Sequence, residues 1–343
     1  MATVRSAASF EVTVGGTTYT QPESNGLESI VLEDHVDMMS MATLRFAGDE
    51  HSPEWGVEIG QTVEIKLGAG SVLLFKGEVV AIEPQWTARG ASVLTARCYD
   101  HTHRLARGRK TRKFLDMKDS DIVQQVGSES GLDVQADPTE ETNAYVLQRN
   151  ESNLAFLKRL AARNNFQLTV REGALQFKAA TTATSPTRIQ MGESLRSLQM
   201  NFNTHEQATE VVVRGWDIRT KQTIEGRASA GDSPNINSGT AGHALAGQHF
   251  GEHVVTITDV PVSSQAQAQA LARAEFARLA RQFGRGTCTV DGNDQLRSGA
   301  MVQFAGVSPP YNGTYYIISS RHSVTAQTGY ITEVTFCSDA MGE

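Results

Sequence analysis

The sequence predicts a mixed β and α+β protein: two homologous small antiparallel β domains with an α/β domain inserted between them. Three observations predict it. The first hundred residues alternate apolar and polar side chains between glycine turns. Helical periodicity begins only after Asp100. Residues 60–100 align with residues 299–339 without a net gap. The expected boundaries are 1–104 for the first β domain, 105–187 for the α+β block and 188–343 for the second β domain, the last carrying a long flexible insertion around 216–262.

Phe10-Glu-Val-Thr-Val14 alternates, Gly15-Gly16 supplies a two-residue turn, and Thr17 to Thr20 resumes the pattern, which spells a hairpin. Strands are expected over Leu27 to Asp34, Ala42 to Phe46, Val57 to Leu67, Val72 to Ile82 and Ala91 to Tyr99, with breaks at Gly68-Ala-Gly70 and Arg89-Gly90. Short strands with regular turns and no intervening helix suit a small barrel or sandwich.

Beyond Asp100, Asp119 or Ser120 can cap a helix through Ile122, Val123 and Val126, with Gly131 just past its end. A second helix starts at Ser152, places Leu154, Leu157, Leu160 and Ala161 on one side, and stops at Asn164-Asn165. Phe166 to Val170 and Leu175 to Phe177 alternate around a Glu172-Gly173 turn. Residues 188 to 215 return to strand character, as in Glu210-Val-Val-Val-Arg214. Ala228 to Gly251, rich in Gly, Ser, Ala and Asn, reads as a long mobile loop. Ser264 and Gln267 make a capping box for a helix with Ala268, Ala272, Phe276, Leu279 and Phe283 in a stripe, ended by Gly284; the rest is β.

In the repeat, Gly60 pairs with Gly299, Val63 with Val302, Ile65 with Phe304, Gly90 with Gly329, Cys98 with Cys337 and Asp100 with Asp339. Phe75-Lys76-Gly77 resembles Tyr311-Asn312-Gly313, displaced by three residues. Three chains bearing two such domains each would present six similar units in a ring.

Composition narrows the function. The formal net charge of -7 speaks against a nucleic-acid binder. The exception is the run Arg104, Arg107, Arg109, Lys110, Arg112 and Lys113, either a phosphate-binding patch or a solvated, partner-facing linker. No apolar run spans a bilayer and no secretory signal opens the chain, so synthesis in the cytoplasm and no membrane insertion are expected. Cys98, Cys288 and Cys337 are widely spaced and odd in number, as buried reduced thiols are. In Asp100-His101-Thr102-His103 the two histidines could share a metal, yet no third ligand is spaced to join them, and a domain-junction turn is the simpler reading. His243, His249 and His253 are irregularly spaced, and Glu140-Glu141 sits in polar loop sequence. The expectation is no enzyme: no catalytic residues, no cofactor and no metal.

Leu73-Leu-Phe-Lys-Gly77, Ala96-Arg-Cys-Tyr-Asp100, Arg104-Leu105 and Phe114-Leu-Asp-Met-Lys-Asp-Ser-Asp-Ile-Val123 together resemble the phage late control protein D family. That family includes the N-terminal hub region of the valine-glycine-repeat spike proteins of type VI secretion. Gln148-Arg-Asn-Glu-Ser152, Phe156-Leu-Lys-Arg-Leu160 and Val213-Arg-Gly-Trp-Asp217 continue the pattern, the last in the manner of extracellular contractile injection systems. The resemblance runs from about residue 57 to the end. It implies two tube-like β-barrel domains and a homotrimeric baseplate hub within a phage tail or injection particle. The implied partners are the inner tube protein above, a separate spike protein below and surrounding baseplate wedge proteins, with no specific nucleic acid. The competing readings are a peptidoglycan hydrolase of the tail tip and a carbohydrate-binding baseplate module.

Overall fold

The structure is a computed structural model that describes residues 9–20, 26–48, 55–68, 72–87, 92–179 and 185–342. The expected breaks at 69–70 and 89–90, and the first eight residues, lie outside the described residues. The chain is mostly β.

The first stretch forms β1 (Phe10–Val14), β2 (Thr17–Tyr19), β3 (Leu27–His35), β4 (Met41–Gly48), β5 (Thr62–Leu67), β6 (Val72–Gln85) and β7 (Ser92–Asp100). Gly15 and Gly16 turn the first hairpin with φ of 56° and 95°, the left-handed pair that matches strand twist. The inward residues of the alternating strands, among them Val12, Leu32, Phe46, Val63 and Ala96, make one core.

The middle stretch forms α1 (His103–Ala106), β8 (Lys110–Lys118), α2 (Asp119–Glu129), β9 (Val134–Ala136), β10 (Thr142–Glu151), α3 (Asn153–Arg163), β11 (Phe166–Arg171) and β12 (Ala174–Ala179). Ser152 caps α3 by accepting the Ala155 amide at 3.2 Å, and Asn165 leaves the helix with φ 53°. The helices cover two small sheets, β10-β8 and β11-β12-β9, around Ile122, Phe156, Leu160 and Phe177. The basic run is a linker only in part: Arg107 and Arg109 lie exposed between α1 and β8, whereas Lys110, Arg112 and Lys113 lie in β8, paired in register with Glu151, Gln148 and Leu147 of β10.

The last stretch forms β13 (Thr187–Gln190), β14 (Leu195–Phe202), β15 (Glu210–Asp217), β16 (Gln222–Ala228), α4 (Gly242–Phe250), β17 (Val254–Ile257), α5 (Gln265–Ala280), β18 (Gly284–Asp291), β19 (Met301–Ala305), β20 (Gly313–Thr325) and β21 (Gly329–Ser338). Helix α5 lays Ala268, Ala272, Phe276 and Leu279 on the β16-β15-β17 sheet. It approaches so closely that a Cβ at Gly226 would stand 2.2 Å from the Ala268 carbonyl. Only half of the expected capping box forms, because the Gln267 side chain turns to Ser263 and Asn143 instead of the Ser264 amide. Gly284 begins β18; the helix already ends at Ala280.

The expected mobile loop is a second correction. Residues 228–251 hold the end of β16, a single 3-10 turn and helix α4. Few apolar groups hold them. The buried Asp339 carboxylate does so instead, accepting the amides of Ile236 at 3.0 Å and Asn237 at 3.3 Å and the Ser233 hydroxyl at 2.8 Å.

One thirteen-stranded sheet, which curls, joins the two ends of the chain in the order β14-β18-β21-β20-β3-β4-β7-β6-β5-β1-β2, with β19 on β20 and β13 on β19. Within it, five strands recur. β3, β4, β5, β6 and β7 correspond to β14, β18, β19, β20 and β21, and every shared pairing has the same register. Ile30↔Leu44 matches Leu198↔Cys288, Thr62↔Glu78 matches Met301↔Tyr316, and Glu78↔Tyr99 matches Tyr316↔Cys337. The bulges coincide as well: Leu27/Ser29 with Leu195/Ser197, and Val79/Ala81 with Ile317/Ser319. Gly60 and Gly299, with φ of 93° and 80°, donate to Val79 and Ile317 at 2.8 Å each. The gapless sequence alignment slips by one residue after β5. Cys98 corresponds to Phe336, not Cys337, and Asp100 to Ser338, not Asp339; Gly313 corresponds to Phe75, not Gly77. Where β3 and β4 are joined by residues 36–40, β14 and β18 are joined by 203–283, which contain the α5-covered sheet.

Candidate assembly surface

The seam between the two recurring units is the antiparallel pairing of β20 with β3, from Ser319↔His35 to Thr325↔Ser29. On its outward face Arg321 sits between Glu333 at 2.6 Å and Glu33 at 3.6 Å. These exposed charges fix register more than they stabilise. A groove of about 710 Å³ runs along this face, lined by Glu33, His35, Met41, Tyr99, Arg321 and Glu333 among others. On the inward face Val324 crosses the seam and joins the core of the first unit. His322 is buried beside it, with Nδ1 2.8 Å from the Tyr330 hydroxyl and 3.3 Å from that of Thr332. Burial pulls its pKa down to about 4, so the ring is neutral near pH 7.

Below the seam all three stretches of chain meet. Asp34 of β3, nearly fully buried, lies 3.3 Å from Arg171 of β11 and 3.9 Å from Arg297 of the second unit. It also accepts the Ser298 amide at 3.3 Å and the Ser40 hydroxyl at 3.3 Å. Arg297 donates to the Leu74 carbonyl at 2.9 Å, and burial, followed by the neighbouring Arg171, pulls its pKa down to about 10. A second clamp is reciprocal: Asp37 donates its amide to the Leu168 carbonyl at 2.9 Å, and its carboxylate accepts the Leu168 amide at 2.8 Å. Burial is the larger influence on the Asp37 carboxyl and raises its pKa.

The residues singled out in the sequence go elsewhere. His103 opens α1, buried, with Nε2 2.5 Å from Glu78, which Arg104 also holds at 2.8 Å. Arg104, then His103, keeps Glu78 ionised down to about 2. His101 shares no ligand set with His103, and among the described residues no group of three or more His, Cys, Asp or Glu could hold a metal. Arg112 bonds Gln148, Glu129 and Asn153 and covers the Phe114 ring, whereas Arg107, Arg109, Lys110 and Lys113 are exposed. His243 is buried against Phe276, His253 contacts the Gln207 carbonyl and His249 is exposed. Glu141 accepts the Ser264 hydroxyl; Glu140 points to solvent. Cys98, Cys288 and Cys337 are buried, with thiol pKa values pushed up to about 12, which makes them poor nucleophiles. Among the described residues no helix is long and apolar enough to cross a membrane.

Among the open backbone edges of the described residues, two belong to the recurring units. β14 pairs only with β18, apart from one bridge at Leu195. Past Ala81, β6 pairs only with β7. The sequence reading found both strands but not the seam. Nothing in a local apolar pattern says which strand of one unit continues the sheet of the other.

Comparison with solved structures gives the fold a context. The 43 kDa tail protein of prophage MuSo2 from Shewanella oneidensis superimposes with a TM-score of 0.74 at 15% identity, over 98% of this chain and 100% of that one. A tail protein from Neisseria meningitidis MC58 gives 0.72 at 12% identity, with 98% of each chain covered. The E. coli c3393 protein, a type VI secretion component with structural similarity to the T4 bacteriophage tail proteins gp27 and gp5, gives 0.66 at 11% identity, covering 95% of this chain and 76% of that one. The chain thus has the fold of phage tail proteins. No curated protein matches the sequence. The sequence profile of the Alg8 N-terminal domain matches residues 5–326, and the chain belongs to that family.

Proposed function

We propose that this chain is the structural hub of a phage-tail or contractile-injection baseplate, with domains over 1–104, 105–187 and 188–343. Three copies close into a ring whose two unit types are two tube-like barrels in quasi-equivalent places. A sixfold inner tube stands on one side, a separate threefold spike on the other, and wedge proteins surround the ring. The observation that carries this reading is the identity of register and bulge position between β3–β7 and their counterparts, which gives one chain two interchangeable wall segments. The shared fold with tail proteins and the family resemblance support it.

In this reading the chain performs no chemistry. Of the charged residues that sequence reading singled out, Arg104 and Arg112 are spent on ion pairs with Glu78 and Glu129, and the thiols are buried. The test is a reconstruction of the intact particle with symmetry relaxed. Three copies whose two units share one radius are expected. Six copies at the hub position, or units at different radii, would refute the adapter role. Peptidoglycan cleavage by the purified chain, abolished by a point mutation in it, would overturn the non-enzymatic reading.

A further inference from the structure

Both strands of the seam have counterparts in the other unit that lack the matching partner. In the seam, the half of β20 beyond its bulge pairs with β3. Its counterpart is the half of β6 beyond the matching bulge, Ala81 onward, which has only β7 beside it. The counterpart of β3 is β14, whose outer edge is open. The end strand β14 and the uncovered half of β6 therefore correspond to the two strands that pair in the seam.

We infer that β14 of one copy pairs antiparallel with residues 81–87 of a second copy, in the register of the internal seam. This deepens the hub reading and rests on it. Transferring the seam partners places Ile82 opposite Phe202, Glu83 opposite Asn201, Pro84 opposite Met200, Gln85 opposite Gln199, Trp86 opposite Leu198 and Thr87 opposite Ser197.

The side chains agree with that register. Inward residues 82, 84 and 86 are Ile, Pro and Trp, and Ile82 and Trp86 are exposed, Trp86 at 62%. Facing them would be Leu198, Met200 and Phe202, which only partly cover the second core. The matching position in the seam is Val324, 2% exposed because it is inserted in the first core. Trp86 takes the place of Val324 with the Trp55 ring 6.2 Å away and most of its surface exposed, so the rest of its cover would come from another copy; an exposed apolar strand edge is otherwise a liability. The outward residues 83, 85, 87, 197, 199 and 201 are polar, as they are in the seam except at Val31. Pro84 lacks an amide hydrogen, so the joint forgoes at most one ladder bond. The joint is head to tail, so identical copies continue one sheet until it closes on itself.

Crossed disulfides test the register. Residues directly opposite in an antiparallel pair have Cα atoms about 4.5–5.5 Å apart, within disulfide reach; a four-residue offset adds about 13 Å. The double variants Glu83→Cys/Asn201→Cys and Thr87→Cys/Ser197→Cys are in register. Glu83→Cys/Ser197→Cys and Thr87→Cys/Asn201→Cys are out of register. The full chain is oxidised in the particle assembled by its host and as purified protein at high concentration, and run on non-reducing gels. The expected result is covalent multimers, up to a closed ring, from the first two variants and single chains from the others. Multimeric hubs that cross-link in neither set, or in the out-of-register set, overturn the joint and leave the hub reading standing. So do dimers from Ser197→Cys alone, which mean that β14 pairs with itself. A chain found only as single copies in both preparations overturns the joint and the hub reading together.

Discussion

The carboxylate of Asp34 lies 3.3 Å from the guanidinium of Arg171, and this contact ties the first strand of the seam to the α+β block. Arg297 joins it from the second unit at 3.9 Å. One buried anion thus holds two cations, each largely withdrawn from water, from two other parts of the chain.

Replacing Asp34 with asparagine keeps the shape and removes the charge that compensates both arginines. Breaking a buried ionic group in this way costs about 3–5 kcal/mol. Denaturant unfolding should show a loss of that order. A loss below about 1 kcal/mol would mean that water reaches Arg171 and Arg297 readily.

Acid should weaken the seam in a defined window. Burial holds His322 down to about 4, whereas the unfolded chain takes up the proton near 6.5. Between those values the unfolded state binds more protons, so stability falls as pH is lowered from about 6.5 toward 4, by on the order of 3 kcal/mol in total. The nearby Asp34 works against this shift and Arg297 with it. Glu78, held ionised to about 2 chiefly by Arg104, contributes in the same direction only below about 4.5. Burial lowers the pKa of His243 and His101 as well, so in His322→Gln the upper acid limb of melting temperature against pH should shrink while the lower one is kept. An unchanged upper limb would assign it to another group.

Phe276 is 1% exposed between α5 and the β15–β16 hairpin, with the His243 ring 5.4 Å away. Truncation to alanine should cost about 3–5 kcal/mol. Loss of the α5-covered sheet alone, seen as protease sensitivity confined to 203–283, would show that this insertion melts separately from the main sheet.

Asp339→Ala removes the acceptor for Ser233, Ile236 and Asn237 at once. Limited proteolysis should then cut within 229–251, where the unaltered chain resists. Equal resistance in both proteins would mean that the packing of α4 alone suffices.

Local chemistry carried much of the fold. Gly15-Gly16, Ser152 and the Ala268–Leu279 stripe each announce their structure within a few residues, because turn, cap and helix face are local devices. The failures have non-local causes. Lys110 to Lys113 read as linker because a strand whose outward face is basic shows little apolar alternation, and its partner Gln148–Glu151 is remote in sequence. The segment 228–251 read as mobile because its anchor, Asp339, lies about a hundred residues away. The repeat was visible, but its register was not. One residue is lost between β19 and β20, and glycine matches hid the slip. The assembly surface was the least legible part. Ile82 and Trp86 continue an ordinary strand pattern, and only the internal seam marks their outer edge as a half-joint.

The contrast between residues 36–40 and residues 203–283 has an evolutionary consequence. A wall assembled from six separate copies of a one-unit protein must bear the same connection at every position. Any enlargement tolerated at one site would be imposed on all six, including those where it collides. Fusing two units into one gene breaks that obligation: one connection stays a tight turn while the other is free to acquire a whole helix-covered sheet. In the proposed ring, alternate positions would then differ in decoration while sharing one backbone ladder. Duplication followed by divergence of a single loop is thus enough to convert sixfold repetition into threefold identity.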